Sequence, residues 1–292
     1  MNHCPDVEVT LPRGLPGGSG WQRTARVRGV LESDEALVAE LRGYELPLDR
    51  ATALLARCVT RLGDRDSPDA VAINCLSLGD REALLLHMRR LTFGETITCL
   101  LQCPLCTEKM ELQLATSELL LQALPDPQPR YTQVFETDSA LLRVTFRVPA
   151  AKDLAAVLPA ASQGPEVSVR ALLLDCVEEV RPESGLEGEA PLSWEEWPRD
   201  LASQISARIE ELDPQAEIKL SAECAVCGQE FSTSFDTAHY LFQELLSWQR
   251  GLYQEVHQLA RVYHWSEAAI LNMSPRKRRL YLDLLSVETA YE

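Results

Sequence analysis

The sequence lacks long hydrophobic runs and any excess of basic residues. No segment approaches the roughly 18 consecutive apolar residues that a membrane-spanning helix requires, so we expect no membrane contact. The 292 residues include 28 Lys and Arg against 44 Asp and Glu, which gives a formal net charge of −16. Because binding to nucleic-acid phosphates needs clustered cations, this balance argues against a nucleic-acid-binding protein.

Sequence signatures of catalysis and of secretion are also missing. The chain has no phosphate-binding glycine loop, no His-Glu-x-x-His motif and no Ser/His/Asp arrangement with supporting context. We therefore expect neither an enzyme nor a protein with a small-molecule substrate. Residues 1–6 show neither the basic nor the apolar part of a secretory signal. The nine cysteines are thus expected to be reduced, or bound to a metal, in a cytoplasmic protein.

The most informative residues present are two Cys-x-x-Cys pairs. The first consists of Cys103 and Cys106, and the second of Cys224 and Cys227, followed at once by Gly228. A two-residue spacer lets one tight turn direct both sulfurs to the same side, and four thiolates form the closed tetrahedral site of a structural Zn²⁺. Gly228 suits the positive φ that such a turn often requires. The pattern predicts one structural Zn²⁺ per chain.

Strand-like segments flank both pairs. Segments 96–102 and 110–114 surround the first pair, and segments 216–222 and 230–235 surround the second, each with alternating or β-prone residues. Each pair is therefore predicted to lie at the tip of a β-hairpin, as a zinc knuckle. Together the two knuckles would form a zinc ribbon.

The spacing between the pairs leaves alternatives open. Cys106 and Cys224 are 118 positions apart, whereas a common zinc ribbon separates its pairs by roughly 15–20 residues. The pairs could share one ion, act separately, form disulfides or serve as redox pairs. We favour a shared site, because the flanks are alike and neither region has a nearby His. A redox Cys-x-x-Cys begins a helix, which neither pair is predicted to do.

The rest of the chain predicts an α+β fold with a helical C-terminal region. Turn signals make residues 1–25 an expected extended N-terminal arm. A helical region with the first knuckle follows over 26–119, then an α+β insertion over 120–215. The second knuckle occupies 216–236, and helices occupy 237–292.

Hydrophobic periodicity places elements within these segments. We expect a hairpin over 131–136 and 141–148. Expected helices cover 80–91, 151–158, 166–179, 198–212, 239–249 and 252–263, the last two separated near Gly251.

The last predicted helix, which Ser274 and Pro275 begin, carries a basic run in its first turn. Cations there oppose the helix dipole, which favours contact with an acidic partner. An ordinary solvated face is the alternative. The residues predicted to bind a partner are Trp265, Arg276, Lys277, Arg278, Arg279 and Tyr281.

Several segments in order resemble a known family. Residues 11–14 with 26–30 are similar to the opening of baseplate proteins of the T-even phage type. Residues 78–82, with Gly94 and the first cysteine pair, are similar to the family's helix-plus-knuckle centre. Residues 263–267 with 276–281 are similar to its C-terminal signature. The region 115–215 adds nothing to the likeness. The chain also departs from the family pattern, with Thr107 in place of a glycine and Ala225 in place of a proline.

The resemblance implies a function in assembly. It suggests a non-enzymatic structural or assembly component of a baseplate hub, in a contractile tail or a contractile injection system. The implied partners are other baseplate or hub proteins, and the implied location is the cytoplasm or the assembled particle. One alternative is a cytosolic zinc-ribbon adaptor or regulatory protein that binds nucleic acid or protein, which the net charge disfavours. Another is a thiol-redox or metallo-hydrolase enzyme, which would need an open metal position.

Overall fold

A computed structural model of the protein describes residues 6–18, 20–158, 164–183 and 190–289. Helices and small antiparallel sheets alternate along the chain, which agrees with the predicted α+β class. The chain divides into two compact units. The first unit comprises Met1–Val30 and Leu46–Ala238, and the second comprises Leu31–Glu45 and His239–Glu292.

The strands of the described residues form antiparallel sheets of two to four strands. The first sheet has the order β1 (Val7–Gly17), β2 (Gly20–Val27), β3 (Val59–Leu62) and β4 (Arg65–Asp66). Two hairpins stand alone, β5 (Thr96–Gln102) with β6 (Lys109–Ala115), and β10 (Ile218–Glu223) with β11 (Glu230–Phe235). The remaining sheet has the order β7 (Tyr131–Glu136), β8 (Leu141–Phe146) and β9 (Val177–Pro182).

The helices, in chain order, are α1 (Glu35–Leu41), α2 (Pro47–Cys58), α3 (Ala70–Asn74), α4 (Leu78–Phe93), α5 (Thr116–Leu119), α6 (Ala151–Val157), α7 (Pro165–Cys176), α8 (Leu201–Leu212), α9 (Thr237–Tyr263), α10 (Glu267–Leu271) and α11 (Pro275–Thr289). The second unit contains α1, α10, α11 and all but the first residues of α9. Among the described residues, no helix has both the length and the hydropathy that a bilayer crossing requires.

Helix α4 is the central helix of the first unit. It is predicted as amphipathic, but it is buried on nearly all sides, including Leu84, Leu85 and Leu86 and even the charged Asp80. A helix surrounded by other elements loses its solvent face, so its polar residues need partners inside the protein. The side chain of Ser77 accepts a hydrogen bond from the N–H of Asp80 and begins the helix.

The N-terminal segment differs from the predicted arm over 1–25. Its backbone is extended, but β1 and β2 pair with each other from Val7 with Val27 to Gly17 with Gly20. Val9, Leu11 and Val27 are buried beneath the sheet. The turn signals near residue 18 therefore mark the end of a hairpin, because alternating apolar residues on both sides bury one face.

The α+β insertion has its own core. The predicted hairpin is present as β7 and β8, and its apolar face packs on α7 and α8 through Phe146, Leu173 and Ile205. The predicted helix over 166–179 ends at Cys176, because the chain then pairs with β8 as a third strand. The Gly, Glu and Pro content of residues 181–193 predicts a loop, and residues 184–189 of that segment lie outside the described residues.

Helix α9 also differs from its prediction. It runs without interruption from Thr237 to Tyr263, so Gly251 does not separate two helices. A glycine inside a helix costs only about 1 kcal/mol relative to Ala. The apolar repeat of Leu245, Leu252 and Leu259, all buried, continues through the glycine and outweighs that cost.

Candidate metal centre

The two hairpins β5–β6 and β10–β11 bring the four predicted cysteines together. The sulfurs of Cys103, Cys106, Cys224 and Cys227 all lie within 4.8 Å of one another. The Sγ atoms of Cys103 and Cys227 are 3.7 Å apart, and those of Cys106 and Cys224 are 3.5 Å apart. The first cysteine of each pair thus lies beside the second cysteine of the other, an arrangement with approximate twofold symmetry. Residues 118 positions apart form one cluster.

The two turns that carry the cysteines have the same local structure. In the first, the N–H of Thr107 donates to the carbonyl of Cys103 at 3.0 Å. In the second, the N–H of Gly228 donates to the carbonyl of Cys224 at 2.8 Å. Thr107 and Gly228 both have a left-handed backbone, with φ of 61° and 71°. The positive φ predicted for Gly228 is confirmed, and Thr107 adopts the same conformation despite its branched side chain.

Backbone N–H groups and close thiols bias the protonation of the cluster. N–H groups of the first turn, led by that of Cys106, lower the pKa of Cys103 to about 7. The N–H of Cys227 similarly lowers the pKa of Cys224. For Cys106, the N–H of Glu108 lowers the pKa, but desolvation and the neighbouring thiols together raise it to about 12. The first cysteine of each pair is therefore biased toward the thiolate, and a bound cation would offset the charge of all four thiolates.

The donor set fits a structural Zn²⁺. A tetrahedral ion with Zn–S bonds of about 2.3 Å holds its sulfurs about 3.8 Å apart, close to the separations found here. Four cysteine ligands leave no open position for water or substrate. Cys103 and Cys224 are almost completely buried, so the cluster is shielded on one side.

Hairpin β5–β6 is attached to the C-terminal end of α4. The guanidinium of Arg89 donates to the carbonyl of Gly94 at 2.8 Å, where the chain leaves the helix with a positive φ. The N–H and the hydroxyl of Thr116 both donate to the carbonyl of Glu95, at 2.8 and 2.9 Å. These bonds join the two ends of the hairpin and fix the direction in which its tip points.

Hairpin β10–β11 is attached to the N-terminal end of the same helix. Asp213, just before β10, accepts a hydrogen bond from the N–H of Gly79 at 3.0 Å. A Cβ atom on Gly79 would lie 2.2 Å from a carboxylate oxygen of Asp213, so only glycine allows this approach. The amide of buried Gln215 also bonds to the N–H of Leu121 and the carbonyl of Leu119. Both hairpins are thus positioned by α4, and this brings their tips together.

Comparison with known families identifies the chain. The model of the T4 bacteriophage base plate protein family matches residues 48–243. The chain belongs to this family. The matched region contains α4, both hairpins and all four clustered cysteines. No curated protein and no solved structure matches the chain at a significant level.

The family match confirms the recognised resemblance and extends it. The region 115–215, which added nothing to the likeness, lies inside the matched span. Residues 1–47 and 244–292 lie outside it, so the likeness noted at the two ends of the chain remains a sequence observation.

Sequence reasoning missed a buried polar network beside the hairpins. The carboxylate of Asp80 accepts the N–H groups of Arg13 and Gly14 at 2.8 and 2.9 Å. The guanidinium of Arg13 donates to the carbonyl of Leu212 at 2.7 Å. Desolvation raises the pKa of Asp80 to about 7. The segment 78–82 was already distinctive in sequence, but only burial shows that its aspartate ties β1 to α4.

The predicted partner-binding residues lie in the second unit and fall into three groups. Trp265 and Tyr281 are half-buried and pack edge-to-face at 4.9 Å, next to a core of Val256, Leu259 and Ile270. Arg276, Lys277 and Arg279 are exposed.

Arg278 differs from its neighbours because it is buried. It forms ion pairs with Glu32 and with Glu255, the latter at 3.0 Å, and donates to the carbonyl of Met273 at 2.9 Å. One carboxylate from α9 and one from the segment that precedes α1 therefore compensate for a cation in the first turn of α11. Arg278 stabilises the second unit and is not available to a partner.

Proposed function

We propose that the protein is a non-enzymatic structural or assembly component of a baseplate, in a phage-like contractile tail or a contractile injection system. The membership of the T4 bacteriophage base plate protein family carries this proposal. The closed donor set of the cysteine cluster supports a structural role, because four thiolates leave a metal without a free coordination position. The acidic composition disfavours the alternative of a nucleic-acid-binding zinc-ribbon adaptor.

In this proposal, one Zn²⁺ joins the two hairpins into a zinc ribbon. Cys103, Cys106, Cys224 and Cys227 would hold the ion as thiolates, and the ion would supply the positive charge that lets all four deprotonate together. The ion would stabilise the fold by cross-linking the two hairpins, which lie before and after the α+β insertion in the sequence.

Metal analysis tests the cofactor. Protein purified without chelators is expected to contain about one Zn²⁺ per chain, and Cys106→Ser or Cys224→Ser to lose it. Cys75→Ser is the matched control, because Cys75 is an exposed cysteine outside the cluster. A ratio near zero in the unaltered protein would refute the zinc site, and a ratio near two would show that the pairs act separately.

The partner surface in this proposal lies on the exposed side of α11. Leu280 and Leu284 are 59% and 56% exposed and lie one turn apart. Arg276, Lys277 and Arg279 lie in the preceding turn, and the exposed Asp283 lies between the two leucines. Exposed leucines next to a basic turn are suited to a partner with apolar and acidic residues, such as another baseplate or hub protein.

Co-expression with other baseplate proteins of the same particle tests the surface. Leu280→Ser combined with Leu284→Ser is expected to remove the protein from the complexes without loss of zinc. Val71→Ser is the matched control, because Val71 is 70% exposed on α3, in the other unit. Deleting α11 would be a poor test, since it would leave Glu32 and Glu255 without Arg278. Wild-type assembly by the double variant would exclude this surface.

A further inference from the structure

The exposed side of α9 carries basic groups and no carboxylate. Its exposed residues between positions 243 and 262 are Gln243, Ser247, Arg250, Tyr253, Gln254, His257, Gln258, Arg261 and Val262. This composition is unexpected in a chain with 44 acidic residues against 28 basic ones. An acidic protein that keeps one helix face free of carboxylates presents a local positive potential there.

A cleft of about 600 Å³ lies along this face, within the second unit. Arg42, at the end of α1, and Arg250 line it together with Tyr253 and His257. The guanidinium of Arg42 donates at 3.0 Å to the side-chain oxygen of Gln249, a neutral group. In the described part of the chain, Arg250 and Arg261 form no ion pair.

Three of the nearby acidic side chains have partners within the second unit. The carboxylate of Glu35 accepts a hydrogen bond from the hydroxyl of Tyr253. Glu255 and Glu32 are paired with Arg278. Glu35 and Glu267 both lie close enough to Tyr253 to raise its pKa, so they offset part of the positive charge of the cleft. Arg250 itself forms no ion pair among the described residues, so an anion from another molecule would not displace an existing pair there.

We propose that this cleft binds an acidic helical segment of a protein partner. Three basic side chains lie along one side of α9. His257 lies two turns after Arg250, Arg261 lies one turn after His257, and the three span about 16 Å along the helix. This spacing matches carboxylates on one side of a second helix. Tyr253, 40% exposed, adds apolar contact beside the cations, which suits an amphipathic peptide better than a free inorganic anion.

This inference rests on the proposed function only in expecting a protein partner, and it concerns a different surface from α11. The test uses the full-length protein, as purified, and a fluorescently labelled helical peptide with Glu at positions spaced three and four residues apart. The same peptide with Gln in place of Glu, and a single-stranded DNA oligonucleotide, are the comparison ligands.

The Glu peptide is expected to bind at low ionic strength and to weaken as salt is added. Arg250→Glu and Arg42→Glu are each expected to weaken this binding by about ten-fold or more. Arg65→Glu, a reversal at an exposed arginine of β4, should change it by less than about two-fold.

Three results would overturn the inference. These are equal binding of the Gln peptide, tighter binding of the DNA than of the Glu peptide, and unchanged binding by both cleft variants. Zinc content and baseplate co-assembly are measured on the same variants. If the protein joins baseplate complexes normally but does not bind the Glu peptide specifically, only the inference about the cleft is wrong. If the unaltered protein does not join baseplate complexes, the proposed function is wrong.

Discussion

At the residue scale, two features stand out: residues with a left-handed backbone in the cysteine turns, and an aspartate buried away from water. Thr107 and Gly228 occupy equivalent positions in two similar turns, yet only glycine adopts a positive φ without strain. Asp80 is a carboxylate buried in the first unit and held by two backbone N–H groups. Both features give sharp single-residue predictions.

Exchanging the two turn residues should have opposite effects. Thr107→Gly relieves a left-handed conformation at a branched residue and is expected to stabilise the protein by about 0.5–1 kcal/mol. Gly228→Thr introduces the same strain in the other turn and should destabilise it by about 1–2 kcal/mol. The space around Gly228 is open, so backbone conformation is the main difference. Chemical denaturation of the purified protein measures both changes, and changes of equal sign would refute the explanation.

Burial of Asp80 should make stability depend on pH. Its folded pKa, about 7, is raised above its unfolded value, so the folded state retains a proton that the unfolded state releases. The free energy of unfolding contributed by Asp80 therefore falls as pH rises from about 4 to about 7. Asp80→Asn removes this titration, so its unfolding free energy, relative to wild type, is expected to increase over that range. A constant difference between the two proteins would show that Asp80 ionises normally in the fold.

At the element scale, helices of the second unit are joined by a buried cation. Arg278 of α11 links Glu255 of α9 and Glu32, which precedes α1. Beside it, Tyr263 stacks on Trp265, and Tyr281 packs edge-on against both rings next to the small core. The basic run of α11 therefore has two roles, in which one arginine stabilises the unit and three cations remain at the surface.

Removing that one arginine should be far more costly than removing its neighbour. Arg278→Ala leaves two partly buried carboxylates close together and is expected to destabilise the second unit by roughly 2–4 kcal/mol. Arg276→Ala removes an exposed cation and should change stability by less than about 0.5 kcal/mol. Hydrogen exchange along α9 and α11 would locate the effect. Equal protection in both variants would mean that the ion pairs add no net stability.

At the scale of the whole molecule, the cysteine cluster brings together the two ends of a loop of more than a hundred residues. Cys106 and Cys224 meet across the entire α+β insertion. A metal ion held by all four cysteines would cross-link these ends and restrict the unfolded chain strongly, so metal binding and folding should be coupled.

Removing the metal should therefore loosen both hairpins together. A strong chelator, or Cys224→Ser, is expected to lower the melting temperature and to speed hydrogen exchange over both 96–115 and 218–235. Cys75→Ser should behave as wild type. Faster exchange confined to 218–235, with the first hairpin still protected, would contradict a shared site.

The sequence alone was sufficient for the features that depend on short-range chemistry. Two-residue cysteine spacing with alternating flanks predicted both hairpins, because strand periodicity and tight turns are local properties. The mixed α+β class and the hairpin over 131–136 and 141–148 followed for the same reason. The family likeness was also visible in the order of its motifs, and the family match confirmed it.

Only the tertiary structure decided which of these elements meet. The proximity of two cysteine pairs 118 positions apart depends on α4, which holds one hairpin at each end through Arg89 and Asp213. In the same way, only the structure shows that Arg278 is buried while its three basic neighbours in the sequence are exposed. The N-terminal hairpin and the uninterrupted α9 escaped prediction because long-range packing outweighed local turn and glycine signals. The sequence shows the local conformational preference of each residue. The groups that pair with a buried charge or a clustered thiol come from distant parts of the chain, so only the tertiary structure identifies them.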